Sequence, residues 1–199
     1  MIGFDRYADD RYALQAQLAA ERGTAIVHPY DDPRVIAGAG TTALELLEDA
    51  GELDLLVVPV GGGGLISGCA TVAAALSPAT RVVASNRRPA TTSRDRSGPA
   101  AASASRSTQR SRRPAARHAG RADVADHRSA RRARGTVSDE QIVAAMRLLF
   151  ERCKLVAEPS GASALAALLA RTIPAAGLRV GVVLSGANVD AARFTQLVS

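Results

Sequence analysis

The sequence predicts an α/β protein built on a parallel sheet with flanking helices. Three observations carry this expectation. Residues Asp54 to Val60 read as the continuous apolar strand of a sheet covered on both faces. That strand runs into Gly61-Gly62-Gly63-Gly64, then a small-residue apolar segment, Leu65 to Leu76, that reads as a helix. Pro78 separates this helix from a new strand start, Thr80-Arg81-Val82-Val83. A strand–helix–strand unit with so compact a crossover marks a parallel sheet. Leu178 to Leu184, apolar but for Arg179, reads as another strand.

The remaining elements follow in order. Residues 5–22 read as a helix that Asp5 can cap, with Tyr12, Leu14, Leu18 and Ala19 as its stripe and Gly23 as its stop. Thr24 to His28 reads as a short strand, and His28-Pro29-Tyr30-Asp31-Asp32-Pro33 as a loop. His28 reads as a structural residue of the strand end. Val35 to Ala50 is a second helical region, with Ala43, Leu44, Leu46 and Leu47 on its apolar face and Gly51 as its end. After residue 135, Ser138-Asp139-Glu140-Gln141 forms a capping box, with Ser138 as N-cap and Gln141 three residues on. Ile142, Met146, Leu149 and Cys153 form the face of that helix. Glu158-Pro159-Ser160-Gly161-Ala162 reads as a turn, Ala162 to Ala170 as a helix, and Asp190 as the start of a last helix ending near Ser199.

The formal charge of +6 and the pI of about 10.3 point to a nucleic-acid partner until the charge is located. Ala84 to Gly135 carries 14 Arg against 3 Asp, a net +11, which leaves −5 on the rest of the chain. Within those 52 residues Val124 alone is a large apolar or aromatic residue or a cysteine. Such a segment is expected to be disordered, because it cannot bury enough apolar surface to offset about 1–2 kcal/mol of backbone entropy per residue. It also lacks aromatic residues for base stacking and a regular spacing, so nucleic-acid binding is not expected. Cys69 and Cys153 both fall at apolar helical positions and are expected to be buried thiols; no disulfide framework or metal-ligand spacing exists. No signal peptide is visible in Met1 to Asp10 and no apolar run approaches the length of a membrane span, so a cytoplasmic protein is the default expectation.

The glycine run has the local context of an anion cradle. Four residues without Cβ let backbone N–H groups turn inward, and the helix behind them adds unpaired N–H groups and about half a positive charge. The spacing matches neither the dinucleotide fingerprint nor the nucleotide-triphosphate loop. The expected guest is a phosphate-bearing cofactor held in another way.

His28-Pro-Tyr-Asp-Asp-Pro, Ala37-Gly-Ala-Gly-Thr, Val58-Pro-Val-Gly-Gly-Gly-Gly-Leu, Glu158-Pro-Ser-Gly-Ala and Leu184-Ser-Gly-Ala-Asn occur in that order. Together they resemble the pyridoxal-phosphate enzymes of the threonine dehydratase and serine racemase group, of fold type II, over residues 1–83 and 136–199. The resemblance implies a partial fold-type-II domain in which 1–83 holds the end of the small domain and the first part of the large one, and 136–199 the C-terminal part of the large one. It implies that the backbone of Gly61, Gly62, Gly63, Gly64 and Leu65 holds the phosphate of pyridoxal 5'-phosphate. Ser185 would hydrogen-bond the pyridine nitrogen; a neutral hydroxyl there leaves that nitrogen largely unprotonated, which suits β-elimination over transamination. The implied activity is β-elimination of L-threonine or L-serine to a 2-oxo acid and ammonia. A racemase-like fragment and a non-catalytic partner subunit are the alternatives. The implied partners are a small amino-acid substrate and further copies of the chain, with no membrane.

The family's Schiff-base lysine, in a Ser-x-Lys-x-Arg-Gly kind of motif, has no counterpart. Lys154 is the only lysine, and it reads as a solvated charge near a helix C-terminus. No catalytic residue and no metal site is therefore assigned, and the chain is expected to be N-terminally truncated and inactive alone. The family continues Val82-Val83 as Gly-Val-Glu-Pro. Codons GGC GTC GAA CCG, read one base later, encode the Ala84-Ser85-Asn86-Arg87 found here. Two compensating frameshifts are the expected origin of residues 84–135, and resequencing the coding DNA tests this.

Overall fold

A computed structural model describes residues 3, 5, 10–88 and 134–199. Its elements are α1 (Arg11–Arg22), α2 (Pro33–Ala50), β1 (Leu55–Pro59), α3 (Gly64–Leu76), β2 (Arg81–Arg87), β3 (Arg134–Val137), α4 (Asp139–Leu148), α5 (Pro159–Leu169), β4 (Val180–Val182) and α6 (Ala191–Val198). The four strands form one sheet in the order β3-β2-β1-β4. Every pairing is parallel, and Val57 of β1 lies opposite Val83 of β2 and Val182 of β4.

All five residues of β1 are buried, because the sheet is covered on both faces. Side chains alternate across a strand. Leu55 and Val57 accordingly pack with Val137, Ile142, Met146, Ala162, Ala166 and Phe194 on the side of α4, α5 and α6. Leu56 and Val58 pack with Ala43, Ile66 and Cys69 on the side of α2 and α3. The result is the α/β sandwich expected from the apolar runs.

Capping side chains fix the starts of α1, α2, α4 and α6. The Asp10 carboxylate accepts hydrogen bonds from the N–H groups of Tyr12 (2.9 Å) and Ala13 (3.3 Å). This residue, not Asp5, is the N-cap of α1. Asp32 caps α2 by accepting from Arg34 N at 2.8 Å, with Pro33 in the first turn where its missing N–H is no loss. The side chain of Arg34 also hydrogen-bonds this carboxylate and holds its pKa down at about 2. The capping box at Ser138 forms as expected: Gln141 N donates to Ser138 Oγ at 3.3 Å and Ser138 N to Gln141 Oε1 at 2.9 Å.

Several expectations are corrected. Residues 24–28 join no sheet, and Ile26 and Val27 stay exposed; an extended run without a neighbouring ladder is not a strand. Strand β2 continues through Ala84, Ser85, Asn86 and Arg87, and β3 includes Arg134 and Gly135, so both ends of the Arg-rich segment are ordered in the sheet. Inside a parallel ladder, position replaces side-chain hydrophobicity: Ala84 and Ser85 are fully buried, and Ser85 Oγ lies 3.2 Å from Ser163 Oγ. The expected disorder of residues 89–133 lies outside the described residues. Helix α5 begins at Pro159, so its first turn takes most of the stretch expected to be a turn.

Cys153 is exposed rather than buried. The helix that starts as α4 ends in a π-helical turn, Leu149–Cys153, whose smaller rotation per residue takes Cys153 off the face set by Ile142, Met146 and Leu149. Cys69 is buried as expected, and desolvation pushes its thiol from an ordinary 9.0 up to about 11. A thiol reagent at neutral pH should therefore modify one equivalent, at Cys153, and reach Cys69 only after denaturation. Peptide mapping checks the assignment; fast native labelling of Cys69 would contradict the packing of α3. The raised pKa also means that burial of this neutral thiol supports folding fully below pH 9 and less as pH rises toward about 11.

Candidate active site

The candidate site lies at the carboxyl ends of the adjacent parallel strands β1 and β4, where ligands of open α/β sheets bind. Beyond β1 the chain enters the glycine loop; three residues beyond β4 it reaches Ser185. The shared register brings the two together. Gly61, Gly62, Gly63, Gly64, Leu65 and Ser185 all line one cavity of about 790 Å³, with Tyr30, Asn86, Ser160 and Ser163 among its other walls.

The loop is anchored at both ends. Val60 N donates to Ser85 O at 2.9 Å, and Ser67 N donates to Gly63 O at 3.0 Å as the first turn of α3. Gly63 is the N-cap of α3, with φ 103° and no side-chain cap; that backbone suits a residue without Cβ. Gly63 and Gly64 are buried, and among the described residues their N–H groups meet no protein acceptor. Buried amides without partners are costly, by about 1–3 kcal/mol each. Placed at a helix N-terminus, they fit a bound anion such as a phosphate.

Ser185 is held from behind. Glu158 N donates to Gly186 O at 3.0 Å, which ties the start of α5 to the Ser185–Gly186 turn. Ser163 Oγ donates to Ser160 O at 2.9 Å, so the hydroxyl proton between Ser85 and Ser163 comes from Ser85. Ser185 itself is exposed at the cavity wall, where its hydroxyl can reach a ligand.

Other sequence expectations resolve clearly. Lys154 closes the π-helical turn at φ 59° and donates from Nζ to Glu151 O at 2.8 Å; it is not among the cavity residues. His28 stabilises its own loop, with Nδ1 accepting from Asp31 N at 2.8 Å. Sequence reasoning did not assign Tyr30, Asn86, Ser160 or Ser163 to the site. Glu158 and Ser160 were visible as parts of one motif, whereas Asn86 and Ser163 offered no local pattern.

A glycine loop at a helix N-terminus and a serine hydroxyl meet in this cavity at the ends of neighbouring parallel strands, the arrangement of an α/β fold with a ligand site at its carboxyl edge. The profile of the family described as "Pyridoxal-phosphate dependent enzyme" matches residues 1–186, and the chain belongs to that family. It is similar to the L-threo-3-hydroxyaspartate ammonia-lyase of Saccharomyces cerevisiae, at 40% identity over 208 residues, covering 100% of this chain and 61% of that protein. It is similar to the L-threonine ammonia-lyase of Thermotoga maritima at 32% identity, covering 96% of this chain and 48% of that protein. Among solved structures, maize serine racemase matches with a TM-score of 0.71 and 30% identity, over 94% of this chain and 59% of that one. The chain thus spans about half to three fifths of the length of these relatives. The family is one of pyridoxal-phosphate ammonia-lyases and racemases, and its fold type II architecture agrees with the sheet described above. No helix of the described residues is long and apolar enough to cross a membrane.

Proposed function

We propose that this chain forms the phosphate- and ring-nitrogen-binding part of an ammonia-lyase site for β-hydroxy-α-amino acids, the class that includes serine, threonine and 3-hydroxyaspartate. The observation that carries this reading is the meeting of Gly61–Leu65 and Ser185 in one cavity. In it the loop amides and the N-terminus of α3 hold the phosphate of pyridoxal 5'-phosphate, and the Ser185 hydroxyl donates to the pyridine nitrogen without charging it. When bound, the cofactor supplies the electron sink for loss of the Cα proton and the β-hydroxyl, the route to a 2-oxo acid and ammonia. A hydroxyl partner favours that elimination over transamination.

The covalent attachment point is not supplied by these residues. Lys154 is committed to the Glu151 carbonyl, away from the cavity. On this reading Lys154, the single lysine of the 199 residues, does not carry the cofactor. Equilibrium dialysis of the chain against pyridoxal 5'-phosphate tests this. The expected result is saturable binding that Ser185→Ala weakens by about 1 kcal/mol, for one hydrogen bond lost. Borohydride treatment should leave all of the cofactor dialysable and the chain without lyase turnover on serine or threonine. A stable reduced adduct, or turnover by the chain alone, would overturn the division of labour; absence of any binding would overturn the cradle.

A further inference from the structure

We propose that Tyr30 is a positioning residue of the phosphate loop, its ring laid against the backbone of Gly62 so that the loop amides keep their presenting conformation. This rests on the reading of Gly61–Leu65 as the phosphate cradle.

Four consecutive glycines form the stretch of backbone with the greatest freedom, and a cradle that must be ordered on binding loses affinity. Something has to hold the loop between its anchors at Val60 and Ser67. Among the described residues no backbone hydrogen bond starts from the N–H of Gly61, Gly62, Gly63 or Gly64. Packing by Tyr30 takes that role. A Cβ on Gly62 would stand 2.3 Å from Tyr30 Cδ1, 2.3 Å from Cγ and 2.7 Å from Cδ2. A Cβ on Gly64 would stand 2.9 Å from both the Cα and the carbonyl oxygen of Tyr30. The absence of side chains at these two glycines is therefore what lets Tyr30 lie on the loop. Tyr30 and the loop also line the same cavity.

Tyr30 is itself held. His28 Nδ1 accepts from Asp31 N at 2.8 Å and more weakly from Tyr30 N at 3.4 Å. The His28 and Tyr30 rings meet edge to face, with centroids 4.7 Å apart and planes at 83°. The Tyr30 hydroxyl lies 3.4 Å from that of Tyr12, whose ring stacks on His28 at 6.4 Å. A three-ring cluster thus connects α1, the 28–33 turn and the glycine loop.

The test uses the full chain as wild type, Y30F, Y30A and G62A. Two quantities are read: amide hydrogen exchange at the buried Gly63 and Gly64 without ligand, and pyridoxal 5'-phosphate affinity by dialysis. Y30A should exchange these amides about tenfold faster and bind the cofactor about tenfold more weakly, while Y30F, which keeps the ring, stays within about twofold on both. G62A should disturb the wild type but add little in the Y30A background, where the ring it would strike is gone. If Y30A does not fold, Tyr30→Leu replaces it, with the same direction expected on both readouts. Exchange in the alanine or leucine variant at the wild-type rate overturns the proposal, as does faster exchange with undiminished affinity. Should the wild type bind no pyridoxal 5'-phosphate, the cradle reading fails, and with it Tyr30's role toward phosphate; the exchange comparison then reports only whether the ring orders the loop.

Discussion

Gly68→Ala should unfold the α2–α3 layer, at a cost of about 3 kcal/mol or more. A Cβ at Gly68 would stand 2.4 Å from Ile36 O, 2.5 Å from Gly40 N and 2.9 Å from Gly40 Cα. All three are backbone atoms, so no rotamer change relieves the contact. The two helices cross with almost no side chain between them, Gly40 and Gly68 facing one another. To admit one methyl group they have to separate, which loosens Ala43, Ile66 and Cys69 against Leu56 and Val58. Overpacking of a tight core costs about 1–3 kcal/mol when side chains can move, and more when they cannot. Urea unfolding of the variant and wild type checks this. Gly38→Ala is the control, because a Cβ there meets nothing within 4 Å and alanine is the better helix former. Equal midpoints for G68A and wild type would contradict the close crossing.

Leu55→Ala carries the second large expected effect, a loss of about 3 kcal/mol within the 2–5 range for leucine truncation in a core. Leu55 is fully buried in the central strand and packs among Val137, Ile142, Met146 and Ala166. Its neighbours belong to one strand and two helices that cannot all collapse into the space together. Total domain stabilities are about 5–15 kcal/mol, so the variant should melt markedly lower. Leu56→Ala empties the opposite face and should cost a similar amount. The two side chains share a strand but not a cluster, so the double variant should lose more than either single one. Thermal and denaturant unfolding of the three variants measure this; a double variant no worse than either single would mean that the two faces do not fold as separate layers.

Much of the fold was readable because its determinants are local. The apolar run at Leu55–Pro59, the glycines after it and the small-residue helix from Gly64 follow one another within about twenty positions. Side-chain period and capping chemistry act over the same short range, which is why Ser138 and Gln141 form the box their spacing implies. The family motifs are local in the same sense, and their order carried the resemblance that the profile match to residues 1–186 supports. Cys153 was misplaced because a single π-helical turn changes the helical phase, and no residue of that stretch announces it.

By itself, the sequence determined the α/β class, the strand-to-glycine-loop geometry and the resemblance to pyridoxal-phosphate enzymes. Tertiary structure alone decided what surrounds the glycines. The chain folds Tyr30 onto Gly62, thirty-two positions away, and sets Ser185 beside the loop through the register of β1 with β4. It also extends β2 through Ala84–Arg87, residues whose composition argues against a strand. For Ser185 and for Ala84–Arg87 the cause is the same. A parallel sheet places residues by ladder position rather than by sequence distance, so the contacts that assemble the candidate site are absent from any window of the chain.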